Sequence, residues 1–328
     1  MNHTAQPRPA HAPYPVELTF PDIRRWREGN QGLDYVHSFD SGQSGPHVLV
    51  TSLVHGNEVS GALALDALLR AEIKPRRGRL SLAFVNVDAY EAFDLAQPDA
   101  TRFLDEDLNR VWTTAKLDGQ ANSREVRRAQ ALRALVDSVD LLLDIHSMHE
   151  ASAPLMMAGP VGKGLELAAA LGTPALVIAD KGHANGRRLR DYGGFIDPAS
   201  AKNALLVETG QHFAASAEAV ALDTLARFLV MSGVVDEEDV SALPRLPLPA
   251  RQRFLEVTDA VVAQSLAFRF EEDYRGLETI AKAGTPIARD GERVIVTPYD
   301  DCVLVQPSLR QLAPGVTVVR LAREIDAP

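Results

Sequence analysis

The chain has 328 residues, and 46% of them are hydrophobic, so it can bury a full core. This length predicts one large domain and a smaller one. Asp and Glu number 44 against 34 Lys and Arg, which gives a net charge of -10. Such a charge argues against a nucleic-acid partner, because the phosphate backbone attracts basic surfaces.

Cysteine content and hydropathy narrow the class further. Cys302 is the only cysteine, which excludes an intrachain disulfide and a cysteine-ligated metal cluster. No apolar run approaches the ~20 residues that span a bilayer, so we expect no membrane partner. Residues 1–15 contain four prolines and no hydrophobic stretch, which predicts a flexible tail and not a signal peptide. A cytoplasmic location is the default expectation.

The first motif with chemical character is HGNE at 55–58. It follows a β-branched apolar run at 48–54, which predicts a strand, and it precedes a helix predicted over 58–70. His55 and Glu58 can aim at one point there, and open α/β sheets bind ligands at the carboxyl ends of their strands. Imidazole and carboxylate are zinc ligands, and the glycine would let the backbone bend sharply between them. For this motif alone, a chance pairing is the alternative.

A polar segment, TRFLDEDLNR at 101–110, follows the next predicted strand at 80–87. Its two arginines, Arg102 and Arg110, present fixed forks of donors that suit a substrate carboxylate or a developing oxyanion. An acidic protein that binds an anionic substrate needs such local positive charge. The alternative is a surface loop in which both arginines pair with the acidic residues at 105–107.

A predicted helix at 123–137 leads into a predicted buried strand at 139–145. Asp144 and His146 are two residues apart and therefore share one face of this strand. The carboxylate could orient a metal-bound imidazole. Alone, the pattern is more simply a strand that ends in a histidine. With HGNE upstream, His146 becomes the third candidate ligand.

Strand-like and helix-like segments alternate to about residue 235, which predicts an α/β domain with a mostly parallel sheet. Further helices are predicted at 164–171 and 214–231, and further strands at 175–178 and 204–207. Glu208 follows the last of these strands. A carboxyl at the tip of an apolar strand can have a raised pKa and act as a general base. A salt bridge or a helix cap is the alternative.

Residues 182–193 form a glycine-flanked basic loop with Arg187, Arg188 and Arg190. This loop could close over the site and contact a carboxylate, or it could be solvated. Its glycine spacing does not fit a dinucleotide fingerprint. His149 and His212 lie near the candidate ligands in sequence, and we expect them to line the pocket or the surface and not to bind metal.

Alternating prolines predict an extended linker over 243–250. Beyond the linker, turns separate strand-like runs at 257–270, 293–296, 302–306 and 316–321. We therefore expect a tail at 1–15, a large α/β domain at 16–242 and a small β domain at 251–328.

Four motifs together resemble one family: HGNE at 55–58, TRFLDEDLNR at 101–110, DIH at 144–146 and VETG at 207–210. In this order they resemble the succinylglutamate desuccinylase/aspartoacylase family, the amidohydrolase branch of the zinc-carboxypeptidase-like enzymes. The resemblance implies a mixed, mostly parallel sheet flanked by helices, with a small C-terminal β domain that partly roofs the active site. It also implies one zinc ion per chain, bound by His55, Glu58 and His146.

The resemblance assigns the other motif residues as well. Glu208 would be the general base and acid that acts on a zinc-activated water. Arg102 would polarise the scissile carbonyl and hold the oxyanion, while Asn109 and Arg110 would bind a substrate carboxylate. The family removes succinyl from N-succinylglutamate and acetyl from N-acetylaspartate, and deacetylation of acylated diamino acids is a further possibility. The motifs imply the reaction class and leave the acyl group and the amino acid open.

Three functions remain in competition. The favoured one is a zinc-dependent amidohydrolase that releases a short acyl group from a small N-acyl amino acid. A zinc carboxypeptidase that acts on peptides would share the metal site. A non-catalytic zinc- or ligand-binding protein would need neither Glu208 nor Arg102. A homo-oligomer is expected from the general frequency of two-fold dimers alone.

Overall fold

The structure, a computed structural model, describes residues 14–98, 100–182 and 186–328. Residues 1–13 of the expected tail and residues 183–185 of the basic loop lie outside the described residues. Tyr14, the first described residue, donates a hydrogen bond from its hydroxyl to Glu150 Oε2 at 2.9 Å. The chain is therefore anchored to the folded body at Tyr14.

Helices and strands alternate through the first two thirds of the chain. The α-helices of the described residues are α1 (Ser60–Arg70), α2 (Val87–Glu91), α3 (Thr114–Leu117), α4 (Arg124–Ser138), α5 (Gly162–Leu171) and α6 (Ala215–Met231). Short 3-10 helices lie at Ile23–Trp26, Leu108–Arg110, Leu189–Asp191, Gly193–Phe195 and Glu237–Val240. The strands of this part are β1 (Val36–Asp40), β2 (His47–Ser52), β3 (Arg79–Phe84), β4 (Leu141–Met148), β5 (Leu155–Met157), β6 (Leu176–Ala179) and β7 (Asn203–Gln211).

The last third of the chain is built from strands. They are β8 (Arg253–Val262), β9 (Phe268–Phe270), β10 (Thr279–Ile280), β11 (Pro286–Asp290), β12 (Arg293–Val296), β13 (Cys302–Val305) and β14 (Thr317–Ile325). Residues 244–249 of the predicted linker have no regular secondary structure. The division into domains at this linker stays a prediction.

Eleven strands form one mixed sheet in the order β1-β3-β2-β4-β7-β5-β6-β8-β14-β13-β10. Its centre is parallel, because β3, β2, β4 and β7 pair in that direction. The strands β1 and β5 pair antiparallel to β3 and β7. The predicted fold class, a mixed and mostly parallel sheet flanked by helices, is confirmed.

Both faces of the central strands are buried under helices, as parallel sheets require. Successive residues of β2 alternate between two apolar clusters. Val48 and Val50 pack with leucines of α1 and α6, whereas Leu49 packs with the apolar face of α4. The rigid centre of this sandwich fixes the strand ends at which the candidate residues lie.

Several predicted strand boundaries were wrong, including the following three. The strand predicted at 80–87 ends at Phe84 and is followed by α2. The strand predicted at 257–270 is two strands, β8 and β9. Its chain turns between them because Asp290 accepts hydrogen bonds from Gln264 N and Ser265 Oγ, both at 2.6 Å.

The third boundary concerns Glu208, which lies inside β7 and not at its tip. The pairing of β7 with β4 continues past the predicted end, with His146 opposite Glu208 and Met148 opposite Gln211. This longer ladder places the Glu208 backbone directly beside that of His146. The strand thus fixes Glu208 more firmly than a strand-end loop would.

The C-terminal strands extend the main sheet. β6 pairs with β8 in parallel, and β8, β14, β13 and β10 then continue the sheet in antiparallel order. The strands β12, β11 and β9 form a separate three-stranded antiparallel sheet. Within the part of the chain that the structure describes, no helix combines the length and apolarity needed to cross a membrane.

Candidate active site

His55, Glu58 and His146 come together at the carboxyl-terminal edge of the parallel strands. Ser52, the last residue of β2, lies opposite Ile145 of β4, so the turn after β2 lies beside the end of β4. One potential ligand atom of each side chain lies within 4.8 Å of the others, and all three residues are buried. The structure thus brings the three predicted ligands into one group.

Glu58 is the centre of this group. Its Oε1 lies 2.8 Å from His55 Nδ1, and its Oε2 lies 2.7 Å from His146 Nδ1. Arg102 donates a hydrogen bond to Oε1 at 2.7 Å. Burial opposes ionisation, but the nearby His55, His146 and Arg102 hold the pKa of the Glu58 carboxyl well below its usual value.

Two further carboxylates hold the imidazoles from outside. Asp144 Oδ2 lies 2.9 Å from His146 Nε2, and Thr51 donates to Asp144 Oδ1 at 2.7 Å. Asp107 Oδ1 lies 3.0 Å from His55 Nε2. Such contacts fix the orientation and tautomer of metal-binding histidines. Sequence reasoning considered Asp107 only as a partner for arginines, and its contact with His55 was missed.

The donor set fits a zinc ion. Two imidazoles and one carboxylate are a recognised ligand set for catalytic zinc, which keeps one position open for water. The three side chains are buried, and one potential ligand atom of each lies within 4.8 Å of the others. Glu208 Oε2 is also buried and has no hydrogen-bond partner among the described residues. We therefore regard these residues as able to hold zinc.

The 101–110 segment is fixed against the HGNE turn by backbone contacts. Gly56 N donates to Arg102 O at 2.9 Å. A Cβ at Gly56 would lie 2.4 Å from the carbonyl carbon of Ala89 and 2.6 Å from Thr101 O. Glycine is therefore required here by the close approach of two backbones, which differs from the sharp bend that the sequence suggested.

Arg102 and Arg110 reach the same cavity from this segment. Arg102 Nη2 lies 2.9 Å from His55 Nε2, so its guanidinium lies directly against the ligand group. Arg110 Nη2 is 3.7 Å from Asp107 Oδ2. Burial, and the charges of neighbouring arginines, lower the pKa of Arg110 to about 10 although Asp107 opposes the shift. Arg110 thus has both a carboxylate and other arginines in its surroundings.

Asn109 lines the cavity but also has a structural contact. Its Oδ1 accepts a hydrogen bond from Leu189 N at 2.9 Å. Asn109 therefore holds the basic loop, at Leu189, against the 101–110 segment. Only its amide NH2 is left for a contact with a substrate.

Glu208 faces the cavity that holds the candidate ligands. Its Oε1 accepts a hydrogen bond from Gln306 Nε2 at 3.0 Å. Burial, followed by the nearby Glu58 carboxylate, raises the pKa of Glu208 to about 7. A carboxyl with such a pKa exchanges protons readily near neutral pH.

Comparison with known proteins shows the family to which the chain belongs. The family model for the succinylglutamate desuccinylase/aspartoacylase catalytic domain matches residues 44–231, more than half of the chain. The chain belongs to this family. A curated succinylglutamate desuccinylase from Burkholderia pseudomallei (strain 1710b) is 36% identical over 115 residues, which are 34% of this chain and 30% of that protein. The chain thus matches less than a third of the length of that relative.

Solved structures show the same fold. A succinylglutamate desuccinylase/aspartoacylase from Rhodobacter sphaeroides aligns with a TM-score of 0.63 and 17% identity, over 89% of each chain. A succinylglutamate desuccinylase from Vibrio parahaemolyticus aligns with a TM-score of 0.65 and 17% identity, over 89% of this chain and 87% of the other. At this identity, the similarity extends to the fold alone.

The three arginines of the basic loop have different surroundings in this family member. Arg188 lines the cavity, and its guanidinium is bound by Asp180 Oδ2 at 3.1 Å and Asp191 Oδ2 at 2.6 Å. Arg190 is fully buried and donates to the backbone oxygens of Ala158 and Ala204, so it supports the sheet. Arg187 is exposed. Only Arg188 therefore remains a candidate for contact with substrate.

The C-terminal strands contribute cavity residues that sequence reasoning missed. Gln306, Arg320 and Arg275 line the cavity, together with residues of the 307–317 loop. No local pattern distinguishes them, because their partners lie far away in sequence. Two tyrosines of the C-terminal part make contacts with their neighbours: Tyr274 packs on Phe270, and the Tyr299 hydroxyl lies 2.7 Å from Thr258 Oγ1.

The two additional histidines lie outside the ligand group of the described residues. His149 lines the cavity, as expected. His212 is buried, and its Nδ1 lies 2.8 Å from Ser147 Oγ. Burial holds the pKa of His212 well below its usual value, which favours a neutral ring.

Glu125 holds the 101–110 segment in place. Its carboxylate accepts backbone hydrogen bonds from Leu104 at 2.8 Å and from Asp105 and Glu106 at 3.3 Å. Glu125→Gln places an NH2 group against these donors, and we expect it to lower the free energy of unfolding by about 1–3 kcal/mol. Urea unfolding followed by circular dichroism measures the change.

The matched control is Glu292→Gln, at an exposed position in the turn between β11 and β12. A surface change of this kind is expected to alter the unfolding free energy by less than about 0.5 kcal/mol. Equal small effects of the two substitutions would contradict the anchoring role of Glu125.

Proposed function

We propose that the chain is a zinc-dependent hydrolase that cleaves the amide bond of an N-acyl amino acid, with acetyl or succinyl as the acyl group. The observation that carries this proposal is the buried group of His55, Glu58 and His146, with Arg102 and Glu208 in the same cavity. Membership of the succinylglutamate desuccinylase/aspartoacylase family supports a deacylase.

His55, Glu58 and His146 would hold the zinc ion. Bound zinc would polarise the scissile carbonyl and make water a stronger acid. Asp144 and Asp107 fix the two imidazole rings through contacts of 2.9 and 3.0 Å. These carboxylates would keep the imidazole nitrogens directed at one point.

Glu208 would act as the general base and then as the general acid. Its buried Oε2, which has no partner among the described residues, is available to take a proton from the attacking water. The same carboxyl would pass that proton to the leaving amine. Proton transfer by a positioned side chain typically contributes about 10²–10⁴-fold to the rate.

Arg102 would stabilise the oxygen of the scissile carbonyl as negative charge develops on it. Its guanidinium already lies 2.7 Å from Glu58 Oε1 and 2.9 Å from His55 Nε2, so a carbonyl bound at the ligand group would be within its reach. Guanidinium donors stabilise an oxyanion more strongly in a buried cavity than in water.

The remaining wall of the cavity favours an anionic small molecule. Arg110, Arg188 and Arg320 line it from three different segments, and Asn109 lies beside Arg110. Asp180 lies close to both Arg188 and Arg320, whereas Arg110 is 3.7 Å from Asp107, so Arg110 is the arginine of the three best placed to bind a substrate anion. The cavity volume of about 700 Å³ lies within the range of roughly 300–1,000 Å³ that is usual for small-molecule sites. A carboxylate of the substrate would therefore bind Arg110 and Asn109.

The direct test is hydrolysis of a panel of N-acetyl and N-succinyl amino acids by wild type and by Glu208→Ala, with released amine as the readout. We expect wild type to release amine from at least one acidic N-acyl amino acid. Glu208→Ala should lose at least about 10²-fold of turnover, because the proton acceptor is gone, and should retain zinc.

Blocked peptides in the same panel separate the carboxypeptidase alternative. Turnover of peptides with no turnover of N-acyl amino acids would replace the proposal with a peptidase. Bound zinc without any turnover would point to a binding protein. Equal turnover by wild type and Glu208→Ala would contradict the role of Glu208.

The two arginines of the 101–110 segment are expected to differ in kinetics. Arg102→Ala should lower kcat by about 10²–10³-fold with a smaller rise in KM, since the oxyanion that Arg102 would stabilise develops only in the transition state. Arg110→Ala should raise KM at least as much as it lowers kcat, since it binds the substrate before reaction. Steady-state kinetics on the best substrate gives both parameters.

Arg293→Ala, at an exposed position of β12, is the control for loss of an arginine and should leave both parameters unchanged. Identical changes in kcat and KM for Arg102→Ala and Arg110→Ala would show that the two arginines do not have separate roles.

A further inference from the structure

Gln306 brings a C-terminal side chain to the carboxyl of Glu208. It follows β13 directly, and its Nε2 donates to Glu208 Oε1 at 3.0 Å across 98 positions of sequence. Its backbone has a φ of 49°, in the left-handed region that residues other than glycine seldom adopt. Pro307 follows it. This backbone turns the end of β13 toward the cavity.

The orientation of the Gln306 amide is fixed from the other side. Arg320 Nη1 lies 3.3 Å from Gln306 Oε1. A guanidinium can only donate hydrogen bonds, so the amide oxygen must face Arg320 and the amide NH2 must face Glu208. Val305, which precedes Gln306, lies opposite Arg320 in the pairing of β13 with β14. Sheet pairing thus sets the distance between the two side chains.

Arg320 is itself held in place. It is buried, and its Nε lies 3.2 Å from Asp180 Oδ2, which also binds Arg188 Nη1 at 3.1 Å. Asp180 follows β6, the strand to which the C-terminal strands are joined through β8. The contacts therefore run without a break from the central sheet through Arg320 and Gln306 to Glu208.

The two carboxylate oxygens of Glu208 have different surroundings. Oε1 is engaged by Gln306, whereas the buried Oε2 has no partner among the described residues. A carboxylate held at one oxygen cannot rotate freely about its last side-chain bond. The other oxygen is then kept in one position for proton transfer, and proton transfer depends on such geometry.

We propose that Gln306 is a positioning residue for Glu208, and that Arg320 holds the Gln306 amide in the donating orientation. The C-terminal strands then complete the active site and do more than cover it. This inference rests on the proposed function, because it assigns Glu208 the part of the general base.

The kinetic test uses Gln306→Met and Gln306→Glu in the full chain. Gln306→Met keeps the length of the side chain and removes the donor. Gln306→Glu keeps an acceptor for Arg320, which favours folding, and turns an acceptor toward Glu208. On the best substrate we expect both to lower kcat by roughly 10- to 100-fold, with KM within about twofold of wild type and with zinc content unchanged.

Gln264→Met makes the same chemical change at an exposed position in the turn between β8 and β9 and should leave kcat unchanged. A kcat of Gln306→Met equal to that of wild type would overturn the proposal. A rise in KM at constant kcat would also overturn it, because Gln306 would then contact the substrate and not the base.

A double-mutant cycle tests the contact without any catalysis. Gln306→Met removes the donor to a buried carboxylate, so it should lower Tm in the wild-type background and lower it less in the Glu208→Ala background. Equal Tm shifts in both backgrounds would show that Gln306 and Glu208 do not stabilise each other, and would overturn the proposal even if the wild type is active. A wild type without turnover would instead overturn the proposed function, and with it the catalytic meaning of Gln306.

Discussion

The parallel pairing of β2, β4 and β7 is the constraint on which the rest of the site depends. The register aligns Ser52 with Ile145 and Ile145 with Val207, so the three chain segments reach one edge of the sheet together. His55 and Glu208, which are far apart in sequence, thereby share a single cavity. Helices on both faces bury these strands and hold the register, because a slip of one residue would move each side chain to the opposite face.

The site contains a network of buried ionisable groups, in which several carboxylates lie against arginines or imidazoles. Glu58 lies among two imidazoles and Arg102, and Asp180 lies between Arg188 and Arg320. Removal of one member from such a network leaves an uncompensated charge, which is strongly destabilising. The residues that would perform the chemistry are for this reason also structural elements of the cavity, and kinetic effects of their substitution need a folding control.

Much of the site could be predicted because the motifs are local. HGNE contains two of the candidate ligands within four residues, and DIH contains the third beside its supporting carboxylate. Gln306 and Arg320 could not be found in this way, since their contacts with Glu208 and Asp180 depend on how the C-terminal strands pair. The prediction of one strand at 257–270 was wrong for a similar reason, because the turn between β8 and β9 is stabilised by a hydrogen bond to Asp290, which is distant in sequence. The extension of the main sheet by β8 is likewise a long-range pairing that periodicity does not encode.

The central claim is that His55, Glu58 and His146 bind one zinc ion. X-ray diffraction from crystals of the purified protein, with data collected on both sides of the zinc absorption edge, tests it directly. We predict one anomalous peak per chain, about 2.0–2.2 Å from a nitrogen of each histidine and from an oxygen of Glu58. A peak at another position, or no peak from protein purified without chelator, would contradict it.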